Sequence, residues 1–228
     1  MQESMINFDN SLMYVTDDRI SDDNKFFSIL ENALDGGVTV VQLREKSVNS
    51  RMFFKRALKA KDYCNKYNVP LIINDRLDIA ISVDADGVHL GQQDLHYNLA
   101  RKILGKEKII GVSVSNKKQL LEVNDSNVNY VGFSPVFSTN TKVDDLEQPL
   151  GLEGLKSLSV FSKKPIVSIG GINKENLKGV LNFGSSGVAV ISAISKSQNP
   201  FLATTELKKI LINNVVKNLT PNSNEEQI

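Results

Sequence analysis

The run Val38–Lys46 (VTVVQLREK) carries three long polar side chains, Gln42, Arg44 and Lys46, at every second position. In an extended strand these three share one side, and Val41 and Leu43 take the other. If Val41 and Leu43 pack against helices, the polar three point into a barrel or its mouth. A buried cation there is costly without an anionic partner, and a phosphate would be one. The alternative ends the strand at Leu43 and leaves the charges in solvent. Asn74 and Asp75 close another apolar run (LIIND), and Asp94 follows a third (GVHLGQQD). Two carboxylates at adjacent strand ends suit Mg2+, which uses one or two carboxylates and completes its octahedron with waters and substrate phosphates. Each Asp also precedes a predicted helix, where N-capping is the simpler role.

Gly170–Gly171 and Ile191–Ser192 follow the last two strand-like runs, at the loops where barrels hold phosphate on backbone N–H groups. Turn glycines and an N-cap serine explain either loop alone, but their coincidence less well. Ser113 ends another strand in GVS, where it can bond a ligand or cap a turn. His89 and His96 are the two histidines, with no HExxH or GxSxG near them, and structural roles are expected for both. GxxxxGK[ST] and GxGxxG are absent, so nucleoside-triphosphate and dinucleotide binding lack their motifs.

The elements that must position these residues repeat eight times. Strand-like runs are Leu12–Thr16, Val38–Leu43, Pro70–Asn74, Gly87–Leu90, Ile109–Ser113, Tyr130–Ser134, Pro165–Ile169 and Gly187–Ile191. Helical spacing fills the gaps, with Met52, Leu58 and Tyr63 predicting the apolar face of one helix and Leu152, Leu155 and Leu158 that of another. Near-continuous apolar strands alternating with helices predict a parallel sheet, and eight units predict a single-domain (β/α)8 TIM barrel over about residues 11–219. An open doubly wound sheet is the alternative. A last helix is expected over Pro200–Lys217, and 220–228 as a loose tail. Thr139–Leu150 (TNTKVDDLEQPL) is the one long polar connection without periodicity, expected as a lid.

Composition narrows the class. The 228 residues are 41% hydrophobic, enough for one substantial core, and a net charge of +1 creates no field for nucleic acid or a membrane surface. One cysteine, Cys64, forbids an internal disulfide, and no apolar run approaches the ~18 residues of a membrane span. The expectation is a cytoplasmic enzyme acting on small molecules. Its barrel helices leave the oligomeric state open, a homo-oligomer included.

Taken in order, QLREK (Gln42–Lys46), IND (Ile73–Asp75), GVHLGQQD (Gly87–Asp94), GVS (Gly111–Ser113), TNTK (Thr139–Lys142), SIGGI (Ser168–Ile172) and VISAIS (Val190–Ser195) resemble the thiamine-phosphate synthase family, from about Met13 to Ser195. The resemblance implies a transferase that joins 4-amino-2-methyl-5-(diphosphomethyl)pyrimidine to 4-methyl-5-(2-phosphoethyl)thiazole, or its carboxylated form. The products are thiamine phosphate and diphosphate. It implies that Gln42, Leu43, Arg44, Glu45, Lys46, Asn74, Ser113 and Lys142 hold the pyrimidine diphosphate, with Arg44, Lys46, Ser113 and Lys142 active in catalysis. It implies Asp75 and Asp94 as ligands of one Mg2+, and Thr139, Asn140, Thr141, Gly171, Ile191 and Ser192 as the thiazole-phosphate site. Ser134 departs from the family's usual Gly before Pro135, Ser138 from a common Pro, and the segment after Lys142 is longer and more acidic. A thiazole-tautomerase-like barrel or a non-catalytic thiazole- or thiamine-phosphate sensor are the alternatives; neither needs Arg44, Asp75, Asp94 and Lys142 together.

Overall fold

A computed structural model describes residues 8–139 and 148–219. Its eight strands are β1 (Leu12–Val15), β2 (Val40–Leu43), β3 (Leu71–Asn74), β4 (Gly87–Leu90), β5 (Ile109–Val114), β6 (Tyr130–Phe133), β7 (Ile166–Ile169) and β8 (Gly187–Val190). They pair in parallel in chain order, and β8 returns to β1 to close the barrel. Between them run α1 (Asp23–Asp35), α2 (Ser50–Tyr67), α3 (Leu77–Ser82), α4 (Tyr97–Leu104), α5 (Lys117–Asn124), α6 (Gly151–Ser159) and α7 (Leu177–Asn182); the short α8 (Ser192–Ser195) and long α9 (Pro200–Leu219) follow β8. The fold is the (β/α)8 barrel expected, with strands one or two residues shorter than several of the apolar runs.

Strand period two sorts the core into two layers. Leu12 and Tyr14, Val41 and Leu43, Leu71 and Ile73, and Val131 and Phe133 face the helices. Met13, Val15, Val40, Ile72, Ile109, Tyr130, Val167, Ala189 and Ile191 fill the interior. Val41 and Leu43 therefore take the helix side, and Gln42 turns inward, where its amide nitrogen donates to Met13 Sδ at 3.2 Å.

One helix differs from its expected face. The buried positions of α2 are Phe53, Arg56, Ala57, Ala60 and Cys64, whereas Met52 and Leu58 are exposed and Tyr63 is half-buried. Phe53, two alanines and a cysteine make the seam, at the three- and four-residue spacing of one helix face. Met52 and Leu58 lie outside it. In α6 the expected face holds, with Leu155 fully buried and Leu152 and Leu158 packed beside the core.

The far end of β2 is braced by a buried ion pair. Glu45 Oε1 accepts from Arg56 Nη1 at 2.7 Å, while Arg56 also bonds Asp23 and the carbonyls of Ile20 and Ser21. Burial pushes the Glu45 carboxyl above its ordinary range against the pull of Arg56, and its Oε2 has no hydrogen-bond partner. A folded-state value raised in this way favours the fold when Glu45 is protonated, and that contribution is lost as pH rises through it. Arg56→Met should therefore cost about 3 to 5 kcal/mol at about pH 8, where a bare carboxylate is left buried, and less at about pH 5. Thermal melts at the two values check this; equal deficits would mean that Glu45 ionisation is not the source.

Candidate active site

At the C-terminal ends of β2 to β5 the inward side chains turn polar and enclose a cleft of about 310 Å³. Arg44 is 4% exposed; its Nη1 donates to Asp18 at 2.6 Å, and its backbone N–H donates to Thr16 Oγ1. The guanidinium is thus held at the cleft wall by residues that follow β1. Lys46 Nζ stands 2.5 Å from Asp75 Oδ2.

Asp75 has φ 62°, a left-handed conformation that Asp tolerates better than most residues, and its N–H donates to the His89 carbonyl, keeping the residue tied to β4. Asn74 donates its side-chain amide to the Asp75 carboxylate. The Asp94 carboxylate accepts from Gly91 N–H at 2.7 Å and lines the same cleft as Asp75. Burial, with the Asp94 charge adding to it, pushes the Asp75 carboxyl up despite Lys46. Neither Asp caps a helix: Arg76 stands at the start of α3 without a side-chain cap bond, and His96 caps α4 by accepting from Asn98 N–H. With the capping role absent, two carboxylates in one cleft lining fit the donor set of a hard divalent ion. No group of three or more His, Cys, Asp or Glu able to hold a metal occurs among the described residues.

Across the same mouth, Gly170 and Gly171 have φ of 110° and 63°. A Cβ at Gly171 would lie 2.8 Å from the Ser138 carbonyl, so glycine is required there by both conformation and space. Ile191 stands at the N-cap of α8, making Ser192 the first helical residue and leaving the first amides of that turn without intrahelical acceptors. Ser195 Oγ donates to Asp17 at 2.9 Å and ties this turn to the chain after β1.

Arg44, Lys46, Asn74, Asp75, Asp94 and Ser113 thus line one cleft, whereas Gln42 lies inward on Met13, and Gly171, Ile191 and Ser192 follow the C-terminal ends of β7 and β8. Leu43 and Glu45 do not present side chains to the cleft: Leu43 packs into the helix-facing core and Glu45 into Arg56, so only their backbone remains for a ligand. Thr139 is described; Asn140, Thr141, Lys142 and most of the expected lid lie outside the described residues, as does the 220–228 tail. Two neighbours of the cleft were not singled out in the sequence, and His89 was expected only as a structural residue. Asp18 sits at a strand end in TDDR, a position typical of barrel sites. Gln92 donates to the Ser113 carbonyl at 2.5 Å, and His89 faces the cleft.

A closed barrel with cations, paired carboxylates and an open glycine turn at its C-terminal mouth defines a (β/α)8-barrel enzyme for phosphate-bearing substrates. The chain belongs to the thiamine monophosphate synthase family, whose model matches residues 12–194. It is 45% identical over 209 residues to the thiamine-phosphate synthase of Persephonella marina (92% of this chain, 99% of the relative) and 47% identical over 188 residues to that of Clostridium novyi (82% and 92%). A solved thiamine phosphate pyrophosphorylase from Pyrococcus furiosus superposes with a TM-score of 0.82 at 34% identity, covering 91% of this chain and 98% of that one.

Gly171→Ala should lower thiazole-phosphate affinity at least ~10-fold, because the methyl strains the turn and displaces Ser138. Calorimetric titration of thiazole phosphate checks this, and unchanged affinity would remove the glycine turn from the phosphate site.

Proposed function

We propose that the barrel condenses 4-amino-2-methyl-5-(diphosphomethyl)pyrimidine with 4-methyl-5-(2-phosphoethyl)thiazole, or its carboxylated form, to give thiamine phosphate and diphosphate. It is a transferase of thiamine biosynthesis acting on small molecules. The observation that carries the finer assignment is the gathering of Asp75 and Asp94 with Lys46 and Arg44 in the lining of one cleft. Two cations there face three carboxylates, Asp18, Asp75 and Asp94, so by themselves these groups would repel a diphosphate. Asp75 and Asp94 would hold one Mg2+, which would reverse that sign and supply charge neutralisation for the departing diphosphate.

In this assignment Arg44 grips phosphate oxygens from a rigid strand end, and Lys46 turns from Asp75 to the same group. Gln42, Asn74 and Ser113 line the pyrimidine end. The second phosphate rests on backbone N–H groups of Gly171 and the Ile191–Ser192 turn, and Thr139, Asn140 and Thr141 are assigned to it on the resemblance alone. Lys142 completes the cation set on the resemblance alone. No strong base is needed, since the thiazole nitrogen already holds its lone pair; departure of diphosphate is the step that these charges assist. Neither a tautomerase nor a sensor accounts for paired carboxylates together with cations. The absence, among the described residues, of a helix long and apolar enough to cross a membrane is compatible with a cytoplasmic location.

Combining both substrates with and without Mg2+, and measuring thiamine phosphate and diphosphate, tests the reaction. Inorganic diphosphate should bind at least ~10-fold more tightly with Mg2+ than without, and Asp75→Asn or Asp94→Asn should abolish that gain. Arg44→Ala should weaken diphosphate binding and rate together by ~10²-fold while thiazole-phosphate binding stays nearly intact. Metal-independent binding in the unaltered protein would refute the carboxylate assignment.

A further inference from the structure

We propose that His89 is a positioning residue, held as its Nε2–H tautomer, that fixes the Ser113 hydroxyl as a hydrogen-bond donor toward the substrate. The proposal rests on the assignment of the cleft to the pyrimidine diphosphate.

A buried polar chain crosses the barrel interior below the cleft. His89 Nδ1 lies 2.9 Å from Tyr130 Oη, and His89 Nε2 lies 2.9 Å from Ser113 Oγ. Tyr130 is 1% exposed, and burial pushes its phenol far above the ordinary range against an opposing bond from Gln42, so it keeps its proton. A buried O–H without an acceptor would cost about 1 to 3 kcal/mol. The amide nitrogen of Gln42 can only donate and is given to Met13 Sδ, and His89 Nδ1, 2.9 Å away, is the acceptor for the phenol proton. With Nδ1 accepting, a neutral imidazole carries its proton on Nε2, and Nε2–H donates to Ser113 Oγ. The serine oxygen then accepts from below, and its own proton turns to the cleft that Ser113 and His89 both line.

The backbone makes room for this chain. A Cβ at Gly111 would collide with the Tyr130 ring, and one at Gly132 would lie 3.0 Å from His89 Cε1. A hydroxyl free to rotate serves donors and acceptors alike, whereas one fixed as a donor selects ligand acceptors, a ring nitrogen or a phosphate oxygen.

The chain has two histidines, so long-range 1H–15N correlation of the imidazoles reads the tautomer directly, with His89→Gln identifying the signals. The unaltered protein should show His89 as Nε2–H, and Tyr130→Phe should lose that single pattern. Tyr130→Phe should also raise KM for the pyrimidine diphosphate by ~3- to 10-fold and leave KM for thiazole phosphate unchanged. His89→Gln, which can still place an N–H near Ser113, should retain more activity than His89→Leu. An Nδ1–H or doubly protonated ring, a spectrum unmoved in Tyr130→Phe, or equal losses in the two His89 variants would overturn the proposal. Full activity in Ser113→Ala with the expected spectrum would instead overturn the assignment of the cleft, leaving the tautomer as found.

Discussion

A strand in a closed barrel has no solvent face: each side chain points either to the helices or into the narrow interior. That constraint organises the rest of the molecule. Apolar side chains fill the lower interior, and an inward polar group must either reach the mouth or find a partner inside. Gln42, Asn74, His89 and Ser113 meet this demand on four consecutive strands, at or near their C-terminal ends. The cleft is the end of the barrel at which apolar filling stops.

Charge at this mouth is held in pairs. Arg44 rests on Asp18, and Lys46 on Asp75. Glu45, between them in sequence, turns the other way and locks to Arg56 on α2. Alternation thus gives three successive charged residues different surroundings: two line the cleft, and the middle one anchors the strand end to the helix layer. In the proposed mechanism, diphosphate and its metal replace internal partners of the two cations and do not have to order them from solvent, which keeps the cost of organising the site small.

The order of elements was readable from the sequence because each apolar run is short, β-branched and bounded by polar helices. The inward direction of Gln42 and Arg44 was readable too, since it follows from period two once Val41 and Leu43 are given to the helices. For α2 the same kind of inference selected the wrong face. Met52 and Leu58 are its conspicuous apolar residues, but the seam is made by Phe53, Ala57, Ala60 and Cys64, which share one helix face at a spacing of three and four.

The sequence by itself determined the eight-unit barrel, the family motifs and the inward polar residues, all of which are encoded in local spacing. Only the tertiary structure decided whether Asp75 and Asp94 cap helices or line one cleft, that Asp18 holds Arg44, and that His89 joins Tyr130 to Ser113. Asp18 and Arg44 are 26 residues apart in the chain, and His89 and Tyr130 are 41. Such partners belong to different strand ends, and closure of the barrel, which no local pattern records, brings them within a hydrogen bond of each other.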